Sequence, residues 1–220
     1  MMYLLDTADT KEIKRLMDLY PIEGVTTNPS IISKARRPVG EIIKEIRHII
    51  GNDKMLHVQT LGERAEEMVD EAVKLKEMVE GNFYIKIPVT PQGIKAISMV
   101  KKLGIKVTAT AVFTQQQGLI AAKAGADFLA PYVNRLDNMS CHGVEVVSDL
   151  VHLIETYNLD AKVLAASFKN VDQVHGISMA GAHAVTVTPK LFEHLVYHPL
   201  TKQAVRDFEE DGQRYYDLGA

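Results

Sequence analysis

Two periods alternate along this chain. Short runs in which every second residue is apolar, rich in β-branched side chains, recur at 3–6, 24–28, 55–59, 83–88, 105–110, 128–132, 162–167 and 184–187. The stretches between them space their apolar residues three and four apart, the pattern of an amphipathic helix. Punctuation agrees with this reading. Thr7-Ala8-Asp9 caps the first helix, Pro38 sits near the first turn of the second, and 63–79 forms the third. Pro91 opens the fourth, 115–124 stops at Gly125, and 144–157 is the sixth. Asn170 and Pro189 begin the last two, in keeping with cap and first-turn preferences.

Eight strand–helix units follow one another with no low-complexity or linker-like stretch between them, so residues 1–220 are expected to form one domain. An open sheet of eight strands would leave two edges to protect, whereas a closed barrel leaves none. The expected class is therefore α/β, a (β/α)8 TIM barrel. A doubly wound open sheet is the alternative, but no G-x-G-x-x-G follows the first strand. After the eighth unit Pro199 restarts a helix that runs to about residue 217 and ends in KQAVRDFEEDGQRYYD. It has no strand of its own to cover. Two resting places are open to it, a neighbouring subunit or its own barrel.

Side-chain parity decides which residues share a face of a strand. In the fourth run Phe83, Ile85 and Ile87 suit the helix-facing side, which turns Lys86 into the barrel. The same parity turns in Asp6, Asn28, Gln59, Thr110, Tyr132 and Ser167, each at the C-terminal end of its run. The eighth run is ambiguous, because Thr186 and Thr188 have the opposite parity to Val185 and Val187. His57 falls one layer below Gln59 and reads as a core or supporting residue. Asp, Asn and Ser are ordinary strand terminators, but Lys and Tyr are not. The ring of polar ends is informative as a set, since barrel enzymes collect their working groups on that face.

Composition narrows the chemistry. Nearly half the residues are apolar and the net charge is −3, which provides no electrostatic footprint for nucleic acid or an acidic membrane. No apolar run approaches membrane-spanning length, and MMYLLDTADT is too acidic for a signal peptide. The lone Cys141 makes no internal disulfide, which fits a reducing cytoplasm. No metal-ligand spacing, paired carboxylates or G-x-S-x-G motif appears. What remains is an amine in a dry setting. Burial lowers the pKa of a lysine and makes it a nucleophile towards carbonyls, with no cofactor required. A buried ion pair of Lys86 with Asp6 is the plainer alternative. Lys34, Arg36 and Arg37 follow the second strand and read as a solvated basic loop.

At these residues the chain resembles the transaldolase family, and within it the small fructose-6-phosphate aldolase-like branch. The resemblance runs from Tyr3 to about Asp217 through LLDTAD (4–9), GVTTNPSII (24–32), IKIPVTPQG (85–93), ATAVF (109–113), APYVNRLD (130–137) and VLAASFKN (163–170). It implies a class I aldolase in which Lys86 forms the Schiff base. It further implies that Asp6 and Asn28, with Thr27 of the same motif, bind substrate hydroxyls. Gln59, Thr110 and Tyr132 would hold a water and move protons, while Arg135, Ser167 and Lys169 would anchor a phosphate. In transaldolases a glutamate and a phenylalanine stand at the positions of Gln59 and Tyr132, so the resemblance favours aldolase activity on fructose 6-phosphate. Transaldolase activity and a silent sugar-phosphate-binding barrel are the alternatives. The resemblance also implies a homo-oligomer, a decamer built of pentamers.

Overall fold

The computed structural model describes residues 1–213 and 216. Eight parallel strands close into a barrel in the order of the chain: β1 (Met2–Asp6), β2 (Gly24–Thr26), β3 (Met55–Gln59), β4 (Phe83–Pro88), β5 (Lys106–Val112), β6 (Phe128–Pro131), β7 (Lys162–Ala165) and β8 (Ala184–Val187). The seam is the pairing of β1 with β8, from Met2 opposite Ala184 to Leu5 opposite Val187. The open-sheet alternative is thereby excluded. The helices are α1 (Thr10–Leu19), α2 (Pro29–Ala35), α3 (Val39–Ile50), α4 (Ala65–Met78), α5 (Pro91–Lys102) and α6 (Gln115–Lys123), then α7 (Val133–Asp137), α8 (Gly143–Thr156), α9 (Val171–Met179), α10 (Pro189–Val196) and α11 (Pro199–Gly212).

α2 and α7 were not expected from the sequence. At seven and five residues they are too short to display a helical period. α2 is instead specified by its ends, because Asn28 Oδ1 accepts the Ile31 N–H at 3.0 Å and Pro29 occupies the first turn. Asn28 is thus a helix cap two residues beyond β2 rather than the last residue of the strand.

The fold has two apolar compartments. The larger lies between strands and helices and takes Phe83, Ile85 and Ile87, as parity requires. The smaller plugs the barrel from below with Leu4, Met55, Tyr84, Phe128, Leu164 and Ala184. Above this plug the interior turns polar.

One parity assignment is wrong. On β7 the plug residue is Leu164 and the helix-facing one is Ala165, so the frame of that strand turns Ala166 inward, not Ser167. Ser167 faces the interior only because the strand has ended and its backbone swings to φ 64°. A second change of frame occurs on β5, where a bulge between Ala109 and Val112 and a φ of 57° at Ala111 bring Ala111 to the cavity wall. The ambiguity on β8 resolves simply: Val185 and Val187 join the helix-facing core, leaving Thr186 inside.

The stretch after β4 leaves no spare room. Thr90 Oγ1 accepts the Gly93 N–H at 3.0 Å to start α5, and a Cβ on Gly93 would collide with the Pro88 carbonyl oxygen. Glycine is required there by close approach.

α11 buries none of its side chains, and its Leu200, Val205 and Phe208 are exposed. It does not pack over its own barrel in the way that was one of the two expectations. Residues 214, 215 and 217 of the expected helix lie outside the described residues. Among the described residues, no helix is long and apolar enough to cross a membrane.

Candidate active site

A cavity of about 1120 Å³ opens at the C-terminal ends of the strands. Asp6, Gln59 and Lys86 reach it from strand positions, and Asn28, Tyr132 and Ser167 from the residue or two just past a strand. Arg135 in α7 and Lys169 after β7 complete the set of expected residues on its wall. Two expected residues stand behind it. Thr110 is fully buried and shares a 2.9 Å hydrogen bond with the Tyr132 hydroxyl. Thr27 is fully buried too, and its hydroxyl donates to the His57 carbonyl at 3.1 Å, so its side chain is not offered to a ligand.

Lys86 lies at the floor of this cavity, 6% exposed. Its Nζ donates to the Thr27 carbonyl oxygen at 2.8 Å. Asp6, in turn, accepts a hydrogen bond from Thr26 Oγ1 at 2.7 Å. Burial pushes the amine below its ordinary pKa of 10.5, and the Asp6 charge opposes that shift without reversing it. The arrangement is a desolvated amine with a carboxylate nearby, rather than a lysine neutralised by its partner.

Below the amine, His57 is fully enclosed. Its ring stacks on Tyr84 at 4.5 Å, meets Phe128 edge-on, and its Nδ1 bonds Thr108 Oγ1 at 2.8 Å. Nε2 is buried without a partner among the described residues. Burial, reinforced by the positive charge of Lys86, holds this imidazole well below its ordinary value of 6.5. His57 is therefore neutral at neutral pH.

The sign of the consequence is fixed. An unfolded chain takes up a proton on His57 near pH 6.5 that the folded chain refuses, so stability is full above that pH and falls as the pH drops below it. The slope is about 1.4 kcal/mol per pH unit from this group. Urea melts of His57→Phe, which suits the aromatic surroundings, are expected to lack that increment of acid sensitivity as the pH falls below ~6.5. An unchanged slope would show that the imidazole is not the responsible group.

At the rim, the Arg135 guanidinium lies 4.8 Å from the centre of the Tyr132 ring. Asp137, two positions further along α7, is engaged elsewhere, accepting the Gly143 N–H at 2.9 Å and Gln173 Nε2 at 2.7 Å. Phe113 packs edge-on against the Tyr132 ring. Tyr132 is therefore held by Phe113 and Arg135 against its ring and by Thr110 at its hydroxyl. Lys34 and Arg37 also border the cavity, but Arg37 is tied back to Glu45 at 2.7 Å. Among the described residues, no group of three or more His, Cys, Asp or Glu could hold a metal ion.

Sequence reasoning missed Thr26 and Thr186, joined at 2.7 Å below Asp6, and Ala111 on the wall. The parity of β8 was ambiguous in the sequence, and the partner of Thr186 across the seam was not visible there at all. The bulge that exposes Ala111 has no signature in ATAVF.

Fold and cavity together are those of a (β/α)8-barrel enzyme with a buried amine at its centre. The family model described as Transaldolase/Fructose-6-phosphate aldolase matches residues 3–218. A probable fructose-6-phosphate aldolase of Streptococcus pneumoniae is 42% identical, over 96% of both chains. A probable transaldolase 2 of Listeria monocytogenes is 39% identical, over 98% of this chain and 97% of the relative. A probable transaldolase of Streptococcus agalactiae is 40% identical, over 96% and 97%. The chain belongs to the transaldolase/fructose-6-phosphate aldolase family, and it is an enzyme of that type. Among solved structures, a mandelate oxidase variant shares the fold alone, with a TM-score of 0.58 at 11% identity over 86% of this chain and 64% of that one.

Proposed function

We propose that this enzyme is a class I aldolase that cleaves fructose 6-phosphate, and forms it in reverse, through a Schiff base on Lys86. The observation that carries the reading is the buried Lys86 amine, lowered in pKa at the floor of the cavity. The neutral amine attacks the C2 ketone, and loss of water leaves an iminium ion. That cation draws electrons from the C3–C4 bond, which breaks as the C4 hydroxyl gives up its proton. Glyceraldehyde 3-phosphate departs, and the enamine of dihydroxyacetone stays on Lys86. Tyr132, partnered by Thr110 and facing the same cavity as Gln59, returns a proton to the enamine carbon. Hydrolysis then frees dihydroxyacetone. Asp6 and Asn28 orient the hydroxyls, and Asp6 also stabilises the iminium charge. Arg135, Ser167 and Lys169 hold the phosphate, a task suited to the fixed donor fork of arginine. Thr27 serves through its carbonyl, on the amine, rather than as a substrate ligand.

Transaldolase activity shares every step up to the enamine, which an incoming aldehyde then captures. Gln59 and Tyr132 favour release. A neutral amide cannot take the proton that a carboxylate could, and a phenol can supply the one that release needs. The test is a side-by-side assay. Fructose 6-phosphate alone should yield free dihydroxyacetone, and that yield should exceed transfer when erythrose 4-phosphate is present. Transfer in excess of release would move the assignment to transaldolase. We further expect a homo-oligomer, a decamer of pentamers by the family resemblance, with the exposed apolar residues of α11 in its contacts. Sedimentation velocity reads its mass.

A further inference from the structure

The two strands that flank β1 meet below its last residue. Thr26 on β2 sits in register with Asp6, and its Oγ1 donates to Asp6 Oδ1 at 2.7 Å. Thr186 on β8 sits in register with Leu4, and its Oγ1 lies 2.7 Å from the same Thr26 oxygen. Both threonines are dry, at 1% and 3% exposure. A hydroxyl carries one proton, and an ionised carboxylate can only accept. Thr26 has committed its proton to Asp6, so the bond between the threonines must carry the proton of Thr186. The chain of donation therefore runs one way, from Thr186 to Thr26 to Asp6.

We infer that Thr186 is a positioning residue for Asp6, acting through Thr26 to hold one carboxylate oxygen so that the other is presented to the cavity. Packing does not require the hydroxyl. The rest of β8 is Ala and Val, and valine fills the same space as threonine. Its contribution is polar: a donated bond makes the Thr26 hydroxyl a stronger donor in turn, and buried chains of this kind gain strength from one another. Asp6 and Lys86 border the same cavity, and the Asp6 charge acts on the amine. Loss of orientation at Asp6 should therefore be felt in the formation of the iminium ion. The inference rests on the Schiff-base reading given above.

The test is a double-mutant cycle read as the single-turnover rate of adduct formation with fructose 6-phosphate and borohydride. Thr186→Val is expected to slow trapping about 3- to 10-fold, the effect of one hydrogen bond expressed in a barrier. Thr186→Ser should restore the rate to within about 2-fold, since it returns the hydroxyl. In an Asp6→Ala background the same Thr186→Val change should have no further effect, because the group it positions is gone. A Thr186→Val enzyme as fast as the parent overturns the inference. So does an equal loss in the Asp6→Ala background, which would mark a general packing defect. Should the valine chain melt well below the parent, Thr186→Ala replaces it in the cycle with the same expectations. No adduct on the parent protein itself overturns the Schiff-base reading, and the role of Thr186 with it.

Discussion

Lys86→Met should lower turnover of fructose 6-phosphate by roughly 10⁴-fold or more, the usual scale for loss of a covalent nucleophile. Borohydride and substrate together should then leave no added mass on the chain, whereas the parent should carry the adduct on the peptide containing residues 83–93. Stability should move the other way. Methionine has similar length and no charge to desolvate, so the variant should melt higher near neutral pH. The sign follows from the depressed pKa. Between its folded value and 10.5 the folded parent holds less proton than the unfolded chain, so the parent gains stability as the pH rises through that window. The advantage of the variant should therefore shrink towards pH 10.5. A variant that still traps substrate, or a parent trapping rate that does not rise with pH, would remove Lys86 from the centre of the chemistry.

The second large effect is expected at Tyr132. Tyr132→Phe leaves both ring contacts in place, those with Phe113 and Arg135, and deletes only the hydroxyl shared with Thr110. Loss of a positioned acid/base commonly costs ~10²–10⁴-fold, and release of dihydroxyacetone should fall by about 10²-fold. Trapping should persist, because the iminium forms before this proton is needed. The enamine should then survive long enough for an added aldehyde to capture it, so the ratio of transfer to release should rise. Equal losses in trapping and release would assign Tyr132 to an earlier step. An unchanged ratio would sever the link between this residue and the subtype.

The same residues show how far the sequence was legible. Strand parity placed Lys86, Asp6, Gln59 and Thr110 on the interior because their strands, β4, β1, β3 and β5, are long enough for alternation to have one solution, and it carried over to Tyr132 just past the short β6. It failed on β7, where the run KVLAAS offers apolar residues in both frames and the strand ends two residues earlier than expected. Ser167 reached the cavity by a backbone reversal that no alternation encodes. Helix α7, which carries Arg135, was invisible at five residues, so its side chain could be assigned only by resemblance. Thr27 illustrates a different limit. Its place in the TTN motif was plain, but whether a side chain or a carbonyl does the work is a matter of three-dimensional packing. The pairing of Thr26 with Thr186 was likewise out of reach, since the residues lie 160 positions apart.

That separation has a bearing on how the active chain comes into being. β1 is the first of the eight barrel strands in the chain, and its partner β8 is the last. Until β8 docks, one edge of β1 stays open and Asp6 has only half of its hydrogen-bonded support. Closure of so long a loop is slow and entropically costly, which makes the seam a natural late event in folding. Catalytic competence would then arrive with barrel closure rather than before it, so a partly folded or still-growing chain would hold the lysine without the organised carboxylate beside it.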